Sequence, residues 1–88
     1  MLTRFKESFA KDLRRLREQA ILRRIRDAIE AVEHADSLAE VSQIKKLSGA
    51  GSYYRIRVGE YRIGLIVEGE AVVFVRVLHR REIYRYFP

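Results

Sequence analysis

The sequence predicts an α+β domain in which a helical hairpin lies on one face of an antiparallel sheet, and three observations carry that expectation. Neither Gly nor Pro occurs before Gly49, and residues 8–35 are rich in Ala, Leu, Ile, Arg and Glu, which favour helix. From Ser52 onward the apolar spacing changes to a period of two. Two Gly-Glu pairs, Gly59-Glu60 and Gly69-Glu70, then stand where hairpin turns would divide that stretch into strands.

At 88 residues the chain is expected to form one domain, residues 1–88, with a modest core. Lys and Arg number 18 against 12 Asp and Glu, a formal charge of +6 that favours nucleic acid or an acidic protein as partner. Cysteine is absent, so neither disulfides nor a thiolate metal site can supplement the core, and two isolated histidines do not make a zinc site. No metal or cofactor is expected. The first residues carry no apolar run of signal-peptide length, and no segment approaches the ~20 apolar residues that span a bilayer. A soluble, cytoplasmic protein with no membrane partner is the expectation.

The helical segment starts with Ser8 as a plausible N-cap and Asp12 in the first turn. Its apolar positions run Phe9, Leu13, Leu16 and Ala20, then restart as Ile21, Ile25, Ala28, Ile29 and Val32. That phase slip would give one straight helix two misaligned stripes, and such a helix would be roughly 40 Å long, too long for so small a domain. Two helices breaking around residues 18–21 are predicted. Residues 36–51 hold the small and polar residues of a connection, with Ile44 and Leu47 docking on the core.

In the first hairpin, a two-residue type II′ turn at Gly59-Glu60 pairs Val58 with Tyr61. Arg57 then stands opposite Arg62, Ile56 opposite Ile63, Arg55 opposite Gly64 and Tyr54 opposite Leu65. Opposed residues share a face. Tyr54, Ile56, Val58, Tyr61, Ile63, Leu65 and Val67 therefore form the seat for the helices, and Arg55, Arg57, Arg62 and Gly64 form the other face. Carried through the second turn, with Glu68 opposite Ala71, this register puts Phe74 and Leu78 on the core side. Val73, Val75, Val77 and His79 join the arginines. Arg76 falls on the core face, where it needs an edge position, an acidic partner or a bulge.

Like charges opposed across two strands destabilise the pair, so Arg57 beside Arg62 is a cost unless an anion sits there. The plainer reading is an open face kept soluble by charge. Three features favour an anion site: Gly64 leaves room beside Arg55, His79 is expected on the same face, and Arg80 and Tyr84 follow in one short tail.

The segments Tyr54-Arg55-Ile56-Arg57-Val58-Gly59-Glu60-Tyr61-Arg62 and His79-Arg80-Arg81-Glu82-Ile83-Tyr84 resemble the RelE branch of the RelE/ParE toxin superfamily, the toxic halves of type II toxin-antitoxin pairs. Phe9-Ala10-Lys11-Asp12-Leu13 and Lys45-Lys46-Leu47-Ser48-Gly49 fit as well, so the likeness covers nearly the whole chain. It implies a β-α-α-β-β-β fold with an RNA-cleaving surface opposite the helices. It also implies a metal-independent endoribonuclease that enters the ribosomal A site and cuts mRNA there. The 2′-hydroxyl attacks the adjacent phosphorus, leaving a 2′,3′-cyclic phosphate and a 5′-hydroxyl.

By the same resemblance, Arg62 matches the arginine that grips the scissile phosphate, Arg80 the one near the leaving group, and Tyr84 the tyrosine that stacks on or orients the substrate. Arg55 and Arg57 stand where some relatives have lysine, and a guanidinium clamps phosphate but does not serve as a general base. Together with Arg81 they are expected to bind RNA. His79, titrating near neutrality, is the candidate acid or base, against the alternative of a strand-end histidine with a backbone partner. Arg14-Arg15 and Arg23-Arg24-Ile25-Arg26 read as solvated helix faces or contacts to ribosomal RNA, and His34 as structural. The aromatic tail Tyr84-Arg85-Tyr86-Phe87 either packs on the core or meets a partner. The implied partners are mRNA, the ribosome and a cognate antitoxin, RelB-like or of another type II class, in a hetero-oligomer. Two rivals keep the fold: a ParE-like inhibitor of DNA gyrase, and a module that binds RNA or antitoxin without cutting.

Overall fold

The helical stretch breaks at Leu16, Arg17 and Glu18, earlier than the predicted 18–21 and overlapping it only at Glu18. In the computed structural model, which describes every residue except Ser48 and Ala50, β1 (Leu2–Phe5) leads into α1 (Glu7–Arg15) and α2 (Gln19–His34). Ser48, within the Lys45-to-Gly49 motif, thus lies outside the described residues. Phe9 anchors α1, while Ile21, Ile25 and Val32 are the buried positions of α2. Among the described residues no helix is long and apolar enough to cross a membrane.

Helix α1 begins one residue before Ser8, with Lys6 as its cap, and the Ser8 hydroxyl instead donates to the Val75 carbonyl at 2.6 Å. The expected cap is therefore a tie between α1 and the sheet. Asp12 falls beyond the first turn and is buried.

Three hairpin-linked strands make the centre of the sheet: β3 (Tyr53–Val58), β4 (Tyr61–Glu68) and β5 (Ala71–His79). A short strand that was not expected, β2 (Ile44–Lys46), pairs with β3, and the strand order is β1-β5-β4-β3-β2. The α+β class holds, but the sheet is mixed, because β1 runs parallel to β5. Gly59 and Gly69 take φ of 59° and 61°, while Glu60 and Glu70 stay out of the left-handed region, as type II′ turns require.

The register of β3 on β4 is the expected one, with Arg57 opposite Arg62 and Arg55 opposite Gly64. Between β4 and β5 it holds from Glu68 opposite Ala71 to Leu65 opposite Phe74 and then shifts, with Gly64 opposite Arg76 and Val75 as the extra residue of a bulge. A one-residue shift exchanges faces. Val77 thereby pairs with Ile63 and is buried among the helices, Leu78 pairs with Arg62, and His79 pairs with Tyr61. The expected placements of Val77, Leu78 and His79 are thus reversed.

The same bulge relieves Arg76. Its guanidinium reaches the buried Asp12 carboxylate through Nε at 2.8 Å and Nη2 at 3.0 Å, and lies 5.2 Å from the centre of the Tyr86 ring. Asp12 also accepts from the Val77 N–H at 3.0 Å, on the stretch of β5 that β1 does not cover. The main core lies between helices and sheet, around Phe9, Ile25, Val32, Ile56, Leu65 and Phe74. On the opposite face the closing helix α3 (Ile83–Tyr86) buries Ile83, and Phe87 follows it inward.

Candidate nucleic-acid interface

Turning at Gly59-Glu60 brings the arginines of β3 and β4 to one end of the sheet. There an open pocket of about 380 Å³ is lined by Arg24, Arg57, Arg62 and Arg80 together with Gln43, Gly59 and Glu60. Arg62 is the half-buried one among these arginines, and its Nη1 donates to the carbonyls of Gly59 and Tyr61, both at 2.9 Å. Burial lowers its pKa below the ordinary guanidinium value, Arg55, Arg57 and Arg80 push the same way, and Tyr84 opposes them. The cluster is thus a set of cations close enough to strain one another, a state that a bound anion relieves.

Two neighbouring guanidinium groups are held, Arg55 by the backbone and Arg80 by one acid. Gln43, at φ 65°, turns its carbonyl to accept from Arg55 Nη1 and from the Arg57 N–H, both at 3.1 Å. Arg57 itself is exposed. Arg80 donates from Nε to Glu60 at 3.1 Å, and its backbone N–H reaches the Glu60 carbonyl at 2.7 Å. That hydrogen bond and charge hold the Glu60 carboxyl below its ordinary value. Tyr84 is exposed on α3, within electrostatic reach of Arg62. Its helix is fixed by Phe87, whose ring atoms come within 2.6–2.8 Å of where a Cβ on Gly64 would stand. The room expected beside Arg55 is therefore filled by the chain's own tail.

Arg62, Arg57, Arg80, Arg55 and Tyr84 are thus brought together, whereas two other candidates are not. The His79 ring meets Tyr61 edge-on at 5.6 Å, and its Nδ1 accepts the Arg81 N–H at 3.2 Å. It sits on the helix side, because the Val75 bulge turned it there. Arg81 is exposed and does not line the pocket. Arg24 was read as part of a solvated helix face, yet its Nη1 lies 2.9 Å from the place of a Gly59 Cβ. Its position three residues after Ile21 and one before Ile25 flanks the buried stripe, a signal that could have found it. Among the described residues no three of His, Cys, Asp and Glu gather as a metal-binding group.

Residues 3–84 match the family described as the ParE toxin of the type II toxin-antitoxin system parDE. The chain is 47% identical over 85 residues to Toxin RelE3 of Methanocaldococcus jannaschii, covering 96% of each. It superposes on the RelB-RelE antitoxin-toxin complex from Methanococcus jannaschii with a TM-score of 0.82 and 46% identity, covering 97% of this chain and 99% of the other. The archaeal RelE-RelB complex from Pyrococcus horikoshii OT3 shares the fold, with a TM-score of 0.72 and 24% identity over 90% of this chain and 93% of the other. A family match along residues 3–84 and near-complete coverage of a RelE relative show that this chain belongs to the RelE/ParE superfamily, as a RelE-type toxin of a toxin-antitoxin system.

Proposed function

We propose that the chain is a metal-independent endoribonuclease that cuts mRNA in the ribosomal A site and so halts translation. The observation that carries this reading is the pinned Arg62 guanidinium in the wall of a pocket shared with Arg24, Arg57 and Arg80. Attack of the 2′-hydroxyl on phosphorus gathers negative charge on a phosphorane, and fixed cations stabilise that charge more than the ground state. In this reading Arg57 and Arg62 hold the non-bridging oxygens and Arg80 faces the departing 5′-oxygen. Tyr84 stacks on a base, while Arg55 and Arg81 steer the strand. Because His79 lies on the helix side, the reading gives it no proton transfer; water takes the 2′-hydroxyl proton and returns one to the departing 5′-oxygen.

The partner that holds such a toxin inactive is an antitoxin in a hetero-oligomer, as in the complexes of the archaeal relatives. An acidic segment would neutralise the pocket's guanidinium groups or pull the Tyr84 tail away from them. The site of action is the cytoplasm, on ribosomes and their mRNA.

Induction of the wild-type chain followed by primer extension tests the reading. Codon-phased breaks in transcripts are expected, and Arg62→Ala should lower cutting on the order of 10²–10³-fold while the protein stays folded. The ParE description of the matching family favours one other reading, inhibition of DNA gyrase. Intact transcripts with DNA damage would establish that reading and overturn the nuclease.

A further inference from the structure

Beside the arginine pocket a second groove of about 230 Å³ lies between α2 and β3. The two cavities share Arg24, Gln43 and Arg57 and so lie side by side. The groove's floor is apolar, formed by Ala28, Ala31, Val41, Ile56 and Val58, and Asp27 and Ser42 stand among its polar groups. A nucleotide has the same two halves, an anionic phosphate and a flat base with apolar faces and a polar edge.

Building on the reading of the arginine pocket as a phosphate site, the geometry points to the groove as the seat of a nucleobase beside the bound phosphate, with Gln43 reading its edge. Gln43 borders both cavities and holds the left-handed φ of 65° that is uncommon outside glycine. Its carbonyl is committed to Arg55 and Arg57, and its exposed side chain stays free of hydrogen bonds to the described residues. Among the groove's lining side chains only Gln43 and Ser42 carry an uncharged donor and acceptor, and the glutamine amide presents its two side by side. The arginines only donate, and Asp27 only accepts. Reading a base edge takes both kinds of group, as in the pairing of a glutamine amide with adenine. Small side chains at Ala28 and Ala31 keep the floor open. Arg24 and Arg57 at the junction outweigh the one carboxylate of Asp27, which favours a nucleotide over an acidic peptide that would bring its charge against Asp27.

The full-length, isotope-labelled protein titrated with ribose 5-phosphate and with AMP, GMP, CMP and UMP, followed by NMR, tests this. Ribose 5-phosphate should move the guanidinium signals of the pocket arginines and leave the apolar groove still, whereas at least one nucleotide should also move Ala31, Val41 and the Gln43 side-chain amide. Ala31→Leu should abolish the second set and keep the first. Gln43→Gly, which suits the left-handed backbone, should shrink the affinity differences among the four nucleotides by at least threefold. Identical patterns for sugar phosphate and nucleotides would overturn the base seat while leaving the phosphate site standing. Stillness at the arginines with every probe would overturn both. Groove signals that ignore nucleotides and move only with the cognate antitoxin would assign the groove to the protein partner, which also overturns the proposal.

Discussion

The Asp12 carboxylate meets two donors of the Arg76 guanidinium and the Val77 N–H with 2% of its side chain exposed. Removing one member of a buried, hydrogen-bonded pair strands the other, at a cost of about 3–5 kcal/mol. Asp12→Ala should therefore lower stability by that order in urea unfolding, and Asp12→Leu with Arg76→Met should recover much of it. Full additivity of the two single effects would show that the pair does not act as a unit. Arg76 was legible as a problem because a charge fell on an apolar face. Its solution was legible as well, since Asp12 stands three residues after Phe9 and four before Leu16, on the apolar stripe of α1, but it was read as a first-turn acid instead. Gly64 was misread in a related way: a sequence shows that a side chain is missing, not which residue fills the space. The Phe87 ring fills it, so Gly64→Ala should cost about 1–3 kcal/mol and displace the tail that carries Tyr84. Unchanged stability together with unchanged cutting would show that the ring has room to move.

At the scale of elements, the β3–β4 hairpin was readable because its two faces differ in chemistry and a glycine marks the turn. Strand β5 lacks that contrast. Val72, Val73, Val75 and Val77 suit either face, so a one-residue bulge leaves no trace in the pattern, and it carried His79 to the side of Tyr61. Strand β2 was hidden in a stretch read as connection because three residues are too few to show a period. The relocation of His79 has a kinetic consequence. The pocket's arginines stay charged throughout the neutral range, and Glu60, held below its ordinary 4.5 by Arg80, keeps its tie above that value and loses it only as pH falls through the lowered one. Cutting should therefore be level between about pH 6 and pH 8, and His79→Gln should keep both the rate and that profile. A step in that profile that vanishes in His79→Gln would return the imidazole to the chemistry.

For the molecule as a whole, a charge of +6 invites the question of which cations bind and which merely solvate. Net charge, visible in the sequence, cannot answer it, because binding depends on which guanidinium groups the fold brings to one place. Four arginines line the pocket, one of them contributed by α2, whereas Arg14 lies exposed on α1 and pairs with Glu7 at 3.1 Å. Each phosphate neutralised on a single strand releases counterions worth about 0.7 in the slope of log affinity against log salt, and arginines that share the scissile phosphate count once, which leaves a slope of about −1 to −2. Arg24→Ala and Arg57→Ala should each lower affinity and flatten that slope for a non-cleavable 2′-deoxy oligonucleotide, measured by fluorescence anisotropy, while Arg14→Ala leaves it unchanged. Scattered surface charge predicts otherwise: each of the three substitutions would lower affinity by a similar small amount, since no position would sit closer to phosphate than another. Equal effects at residues 14, 24 and 57 would therefore remove the pocket from the account of binding. A slope change confined to residues 24 and 57 would tie helix α2 to the same bound phosphates as the sheet, in keeping with the 2.9 Å approach of Arg24 to the hairpin turn.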